Sequence, residues 1–121
     1  MLHHVSIEVD PAEVEACAAC WELLGFERVP AAEALGPYFT WLEREGTQIH
    51  LVPVDDPIAA REGHVAVIAD DYEATLARLE AEGFEVREGS NAWDAPRVFA
   101  TDPAGHRIEV MSRPPHPPWP S

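Results

Sequence analysis

The feature that most constrains this chain is that it repeats itself. His4-Val5-Ser6-Ile7-Glu8-Val9-Asp10 aligns with His64-Val65-Ala66-Val67-Ile68-Ala69-Asp70, and Gly25-Phe26-Glu27 aligns with Gly83-Phe84-Glu85. Gln48-Ile49-His50-Leu51-Val52 then aligns with Arg107-Ile108-Glu109-Val110-Met111. The offset stays near 60 residues throughout. A chain of 121 residues is too short for two ordinary domains, so the repeat implies two copies of one supersecondary unit.

Both copies read alike. Residues 2–9 alternate apolar and polar, as a half-buried strand does. Asp10 is placed to cap a helix, with Pro11 at its first position and Glu13 reaching back. Val14-Ala18-Trp21 and Cys17-Cys20-Leu24 have helical spacing, and Gly25 suits a left-handed helix end. Three short strands follow, near residues 26–30, 37–44 and 47–53. The second copy gives a strand over 64–69 and a helix capped by Asp70 or Asp71, with Leu76 and Leu79 on its apolar face. Gly83 ends that helix, and strands follow near 84–88, 96–101 and 106–111, the last two joined by the turn Asp102-Pro103-Ala104-Gly105. The expected fold is α+β: two βαβββ modules, residues 1–54 and 64–112, with a linker over 55–63. Residues 113–121 are too proline-rich for helix or central strand and read as an extended arm, in which Trp119 is a candidate to cover a partner's cavity.

Strand parity turns the repeat into a candidate site. Val5, Ile7 and Val9 share one strand face and belong on the helix side, which sends His4 to the other face. By the same parity Ile49 and Leu51 oppose His50, Val65 and Val67 oppose His64, and Ile108 and Val110 oppose Glu109. The repeat pairs His4 with His64 and His50 with Glu109. Modules related by a pseudo-twofold axis would gather the four around one cavity. Three imidazoles and a carboxylate suit Zn, Ni, Co, Mn or Fe better than Ca or Mg.

The order of strand His, helix ending Leu24-Gly25-Phe26, His50 strand, Gly63-His64-Val65 and Asp102-Pro103-Ala104-Gly105-His106-Arg107-Ile108-Glu109 resembles the vicinal oxygen chelate superfamily over residues 1–112. That superfamily includes glyoxalases, bleomycin-resistance proteins and dioxygenases. The resemblance implies a U-shaped mixed sheet around a divalent metal, with the helices outside. His4, His64 and Glu109 would stand at ligand positions. His50 departs from the pattern, since bacterial glyoxalase I usually carries Glu there and methylmalonyl-CoA epimerase Gln. Cys20-Trp21 replaces an aromatic pair that packs the helix in relatives.

The implied function is metal-dependent isomerase or lyase chemistry on a small substrate with vicinal oxygens, with Glu109 or His50 moving the proton. One alternative is a metal-free protein that sequesters a cationic antibiotic, as bleomycin-resistance proteins do. Others are an extradiol-type dioxygenase and a module that binds metal without turnover. A homodimer is expected, because exposed strand edges want covering.

Composition narrows the field. A formal charge of −14 argues against nucleic acid and anionic membranes as partners. All eight basic residues are arginine, so no lysine is present for Schiff-base or P-loop chemistry. With no apolar run of membrane-spanning length and no signal-like start, the cytoplasm is the expected location. Cys17 and Cys20 form a C-x-x-C among alanines and read as packing residues rather than a redox pair. His3 reads as a capping or core residue and His106 as solvated. Phe39, Trp41, Trp93 and Phe99 are candidate pocket or core aromatics, and Arg97 and Arg107 are candidate anion binders or exposed sheet arginines.

Overall fold

The computed structural model describes residues 1–118. Trp119, singled out in the proline-rich arm, lies outside the described residues. The chain divides into two compact units, the first Met1–Ala59 and the second beginning at Ala60.

In the first unit the elements are β1 (His4–Val9), α1 (Val14–Leu23), β2 (Glu27–Val29), β3 (Thr40–Arg44) and β4 (Thr47–Pro53). They form a four-stranded sheet in the order β1-β4-β3-β2, with β1 parallel to β4 and the other pairs antiparallel. The second unit has β5 (Val65–Ile68), α2 (Tyr72–Ala81), β6 (Glu85–Glu88), β7 (Arg97–Thr101) and β8 (Arg107–Met111). Its order is β5-β8-β7-β6, again with one parallel pair, β5 with β8. Each unit is therefore the expected βαβββ module. A parallel pair cannot be joined by a tight hairpin, so in each unit the first strand is carried past the sheet through a helix before the chain returns.

Local chemistry sets the helix limits. Asp10 Oδ1 accepts from the Ala12 N–H at 2.8 Å, and the Glu13 N–H reaches the Asp10 carbonyl at 2.8 Å. That three-residue closure makes Pro11–Glu13 a 3₁₀ turn, so α1 begins at Val14 instead of running from Pro11. In the second unit the cap is Asp71, whose Oδ1 accepts from the Ala74 N–H at 3.1 Å. Both helices end in the same motif. The Gly25 N–H bonds to the Glu22 carbonyl at 3.0 Å and the Phe26 N–H to the Trp21 carbonyl at 3.1 Å. Gly83 and Phe84 repeat this on Glu80 and Leu79, both at 3.0 Å. Strand β3 starts at Thr40 rather than near residue 37, because Pro37 has no N–H to give a ladder and a 3₁₀ turn, Glu33–Leu35, precedes it.

The helix-facing residues make the cores. Val9, Cys17, Ala18, Cys20, Trp21, Leu42, Ile49 and Leu51 are buried in the first unit, and Val67, Leu79, Val98, Ala100, Ile108 and Val110 in the second. Cys17 and Cys20 are both buried, in keeping with packing. No helix among the described residues is long and apolar enough to cross a membrane.

Two hairpins hold the registers that matter later. Asp102 Oδ1 accepts from the Ala104 and His106 N–H groups at 3.0 and 2.8 Å, bracing the link between β7 and β8. Between β3 and β4, Arg44 pairs with Thr47 around a two-residue turn in which Glu45 and Gly46 have φ of 49° and 86°. Glutamate is a poor occupant of that left-handed position. Glu45→Asn is expected to raise the unfolding free energy by about 0.5 to 1 kcal/mol, and Gly46→Ala to lower it by about 1 to 2 kcal/mol. Urea denaturation checks both; a loss in Glu45→Asn would show that the turn does not limit stability.

Candidate functional site

The ladder registers carry parity across each sheet. His4 lies opposite Gln48, and Ser6 opposite His50, which is itself opposite Trp41. Ala66 lies opposite Glu109, which is itself opposite Phe99. Thus His50 and Glu109 hold equivalent places on β4 and β8, the strands flanked by the parallel partner on one side and an antiparallel one on the other, each facing away from the helix-side residues that flank it. Both are buried, His50 at 7% exposed and Glu109 at 5%.

Glu109 is surrounded by specific partners. Its Oε1 lies 3.0 Å from His64 Nε2, and the Arg97 guanidinium Nη1 lies 3.3 Å from its Oε2. That second contact is an ion pair without hydrogen-bond geometry, and Oε2 is buried with no hydrogen-bond partner. His64 Nδ1 lies 2.9 Å from the Glu62 carbonyl oxygen. A carbonyl can only accept, so Nδ1 carries the proton and Nε2 is the atom turned to the carboxylate. Two lone pairs cannot face each other at 3.0 Å. A shared cation resolves this, either a proton between the two atoms or a metal ion held by both from beside the line, since two metal–ligand bonds of about 2.0–2.2 Å do not fit within it.

His50 is held in a different way. Its Nε2 lies 2.7 Å from Gln48 Oε1, and Gln48 Nε2 donates to Glu43 Oε1 at 2.9 Å. The carboxylate accepts, which orients the amide, and the amide oxygen accepts from His50 Nε2–H. Nδ1 of His50 is left with the lone pair. The His50 ring is stacked between His4, at 4.0 Å and 11°, and Trp41, at 4.0 Å and 1°. His4 Nδ1 in turn meets His3 Nδ1 at 2.9 Å. Burial first, then the His4 and His3 rings, push the His50 pKa below the usual imidazole value.

The four expected residues therefore fall into two pairs, His4 with His50 and His64 with Glu109, one in each unit. Within either unit no group of three or more His, Cys, Asp and Glu among the described residues could hold a metal ion by itself. The His64–Glu109 pair fits a divalent metal as half a ligand set. A buried carboxylate oxygen is free of hydrogen bonds, and the histidine is anchored through its other nitrogen on a carbonyl, the usual support of a metal-ligating imidazole.

A model of the glyoxalase-like domain family matches residues 6–111. The chain belongs to this family. The glyoxalase-like fold places it in the vicinal oxygen chelate superfamily. Among solved structures it is similar to a Bacillus anthracis protein described as of the glyoxalase family, with 28% identity, a TM-score of 0.78, and 92% of this chain and 93% of that one covered. It also resembles a fosfomycin-resistance protein from Listeria monocytogenes solved with Mn(II) and 1S,2S-dihydroxypropylphosphonic acid, with 16% identity, a TM-score of 0.77, and 94% and 90% covered. An antibiotic-binding protein from Streptomyces shares 21% identity, with a TM-score of 0.72 and 92% and 93% covered. A search of the curated proteins found no match.

Several residues of this glyoxalase-like domain take roles the sequence reading did not assign. Arg97 is no exposed sheet arginine. Its side chain is 10% exposed, held by Ser90 and lying over the Trp93 and Phe99 rings. Arg107 does face outward enough to pair with Glu62 at 3.0 Å and lies over Phe99. His3 is exposed beside His4, neither a cap nor core. Gln48 and Glu43 were legible only through register: Gln48 lies two residues from His50 on the same strand face, opposite His4. A cleft of about 540 Å³ lies in the second unit, lined by Glu73 and Glu80 of α2, by Glu88 at the end of β6, by Asp94 and by Arg97 among others.

The depressed pKa of His50 has a direction in stability. The unfolded chain takes up that proton first, below about pH 6.5, so the folded state loses stability as pH falls through the folded value. His50→Gln removes this term. From pH 7 to pH 5 wild type is expected to lose more unfolding free energy than His50→Gln, measured by denaturant titration at both pH values. Equal losses would show that the neutral imidazole is not favoured by folding.

Proposed function

We propose that the protein is a metal-dependent enzyme of the glyoxalase type, an isomerase or lyase acting in the cytoplasm on a small substrate with vicinal oxygens. The observation that carries this reading is the His64–Glu109 pair, with its carbonyl-anchored imidazole and its hydrogen-bond-free carboxylate oxygen. His64 and Glu109 would bind the metal together with His4, and with His50 if it joins them, from a first unit of the same chain or of a second copy in a homodimer. His4 and His64 would both use Nε2, since Nδ1 of each is already engaged.

When bound, a divalent Zn, Ni, Co, Mn or Fe ion supplies Lewis-acid stabilisation of an enediolate or alkoxide oxygen. The chain's own groups move the proton. Glu109 is the candidate carboxylate base through Oε2, which accepts no hydrogen bond although the Arg97 guanidinium lies 3.3 Å away, while Oε1 stays on His64. His50 Nδ1 is the second candidate base, because its imidazole is kept neutral and its ring cannot turn between His4 and Trp41. A metal-free antibiotic-binding role is the second reading. It is supported by Arg97, which already answers the charge of Glu109, and by the likeness to the Streptomyces protein.

Metal analysis and calorimetry separate the two. Wild type is expected to bind Zn²⁺ or Ni²⁺ at one ion per site, and His64→Ala to weaken that binding by at least about a hundredfold without loss of fold. In Glu109→Gln, kcat on any substrate the wild type turns over is expected to fall at least about a hundredfold, the scale for losing a general base. Unchanged metal content in His64→Ala places the metal elsewhere. Full activity in Glu109→Gln takes that carboxylate out of the reaction.

A further inference from the structure

Arg97 is the one cation on Glu109 that the metal reading does not need. Its side chain is 10% exposed beside a carboxylate that is 6% exposed, with Nη1 3.3 Å from Oε2. The guanidinium has further partners. Nε donates to the Ser90 carbonyl at 3.2 Å, and Nη2 donates to Ser90 Oγ at 2.7 Å. The guanidinium carbon lies 4.4 Å from the Trp93 ring centre and 5.2 Å from that of Phe99. The aliphatic stem runs flush against the backbone of Gly89, where a Cβ would lie 2.9 Å from Arg97 Cγ. A side chain fixed on so many sides cannot swing away cheaply, and its charge stays where Glu109 presents its second oxygen.

We propose that Arg97 is the resident counter-cation of Glu109 and competes with a divalent metal for that carboxylate. This inference rests on the reading of Glu109 as a metal ligand. Without a counter-charge a carboxylate this deeply buried would be strongly unfavourable, and removing one partner of such a pair leaves the other uncompensated. Arg97 thus keeps the half-site folded and ready before metal arrives. The same positive charge, a few ångströms from the ligand oxygen, repels an incoming divalent ion and weakens its binding. Arg97 is a positioning residue by this account: it acts on Glu109 and sets how tightly the site takes metal.

The two effects have opposite signs, and a merely structural residue would not separate them. In Arg97→Gln the thermal midpoint of the metal-free protein is expected to fall by about 5 °C or more. Zn²⁺ affinity, measured by calorimetry on the full chain, is expected to rise by about tenfold or more. Arg97→Lys keeps the charge and should stay near wild type in Zn²⁺ affinity, which separates charge from packing if the glutamine variant folds poorly. Adding Glu109→Gln to Arg97→Gln should restore most of the lost midpoint. Tighter binding in Arg97→Gln when wild type also binds Zn²⁺ supports both readings. Binding by Arg97→Gln alone supports the competition and overturns native metal dependence. Weaker or unchanged binding in Arg97→Gln, with wild type binding normally, overturns the competition only. No Zn²⁺ binding by either protein overturns both.

Discussion

In each unit the first strand pairs in parallel with the last, and the remaining two strands build outward from that last strand. Because β4 and β8 are thereby flanked on both sides, residues on either face of them are shielded by neighbouring strands. On one face this produces the apolar core of Ile49, Leu51, Ile108 and Val110. On the other it buries His50 and Glu109. The candidate site is thus a consequence of strand order: His4 on the outer strand β1 stays exposed, while His50 on the neighbouring inner strand β4 is buried.

A buried polar group must find partners, and the two units meet that demand in different ways. The first uses a chain of donors and acceptors, from His50 through Gln48 to Glu43, with flat rings closing both faces of the imidazole. The second uses charge, with Glu109 between His64 and Arg97. Trp41 and Phe99 occupy matching register positions opposite His50 and Glu109. The backbone repeats faithfully; the side chains have diverged into a hydrogen-bonded half and an ion-paired half. For a family whose fold serves enzymes and binders alike, that divergence carries more functional information than the fold does.

Much of this was legible in the residue order. The alternation of β1, the capping aspartates and the left-handed glycines after both helices are local signals, and each operates over a few residues. The repeat added a long-range inference, that His50 and Glu109 are equivalent. The local signals were weakest where one backbone bond decides, as with the 3₁₀ closure on Asp10 and the late start of β3 after Pro37. Cys17 and Cys20 were readable as packing residues because their setting is apolar at helical spacing.

By itself the sequence determined the module, its order of elements and the face on which each candidate residue lies, since side-chain period follows from backbone geometry alone. Tertiary structure decided the partners. That Arg97 would turn onto Glu109 rather than into solvent depends on the β7–β8 register, on the Gly89 backbone beside its stem and on Ser90 and Trp93 reaching its head. That Gln48 would present its oxygen to His50 depends on Glu43 being brought opposite by the turn at Glu45 and Gly46. Periodicity fixes direction out of a strand, but which donor meets which acceptor is settled only when separate strands close into one ladder.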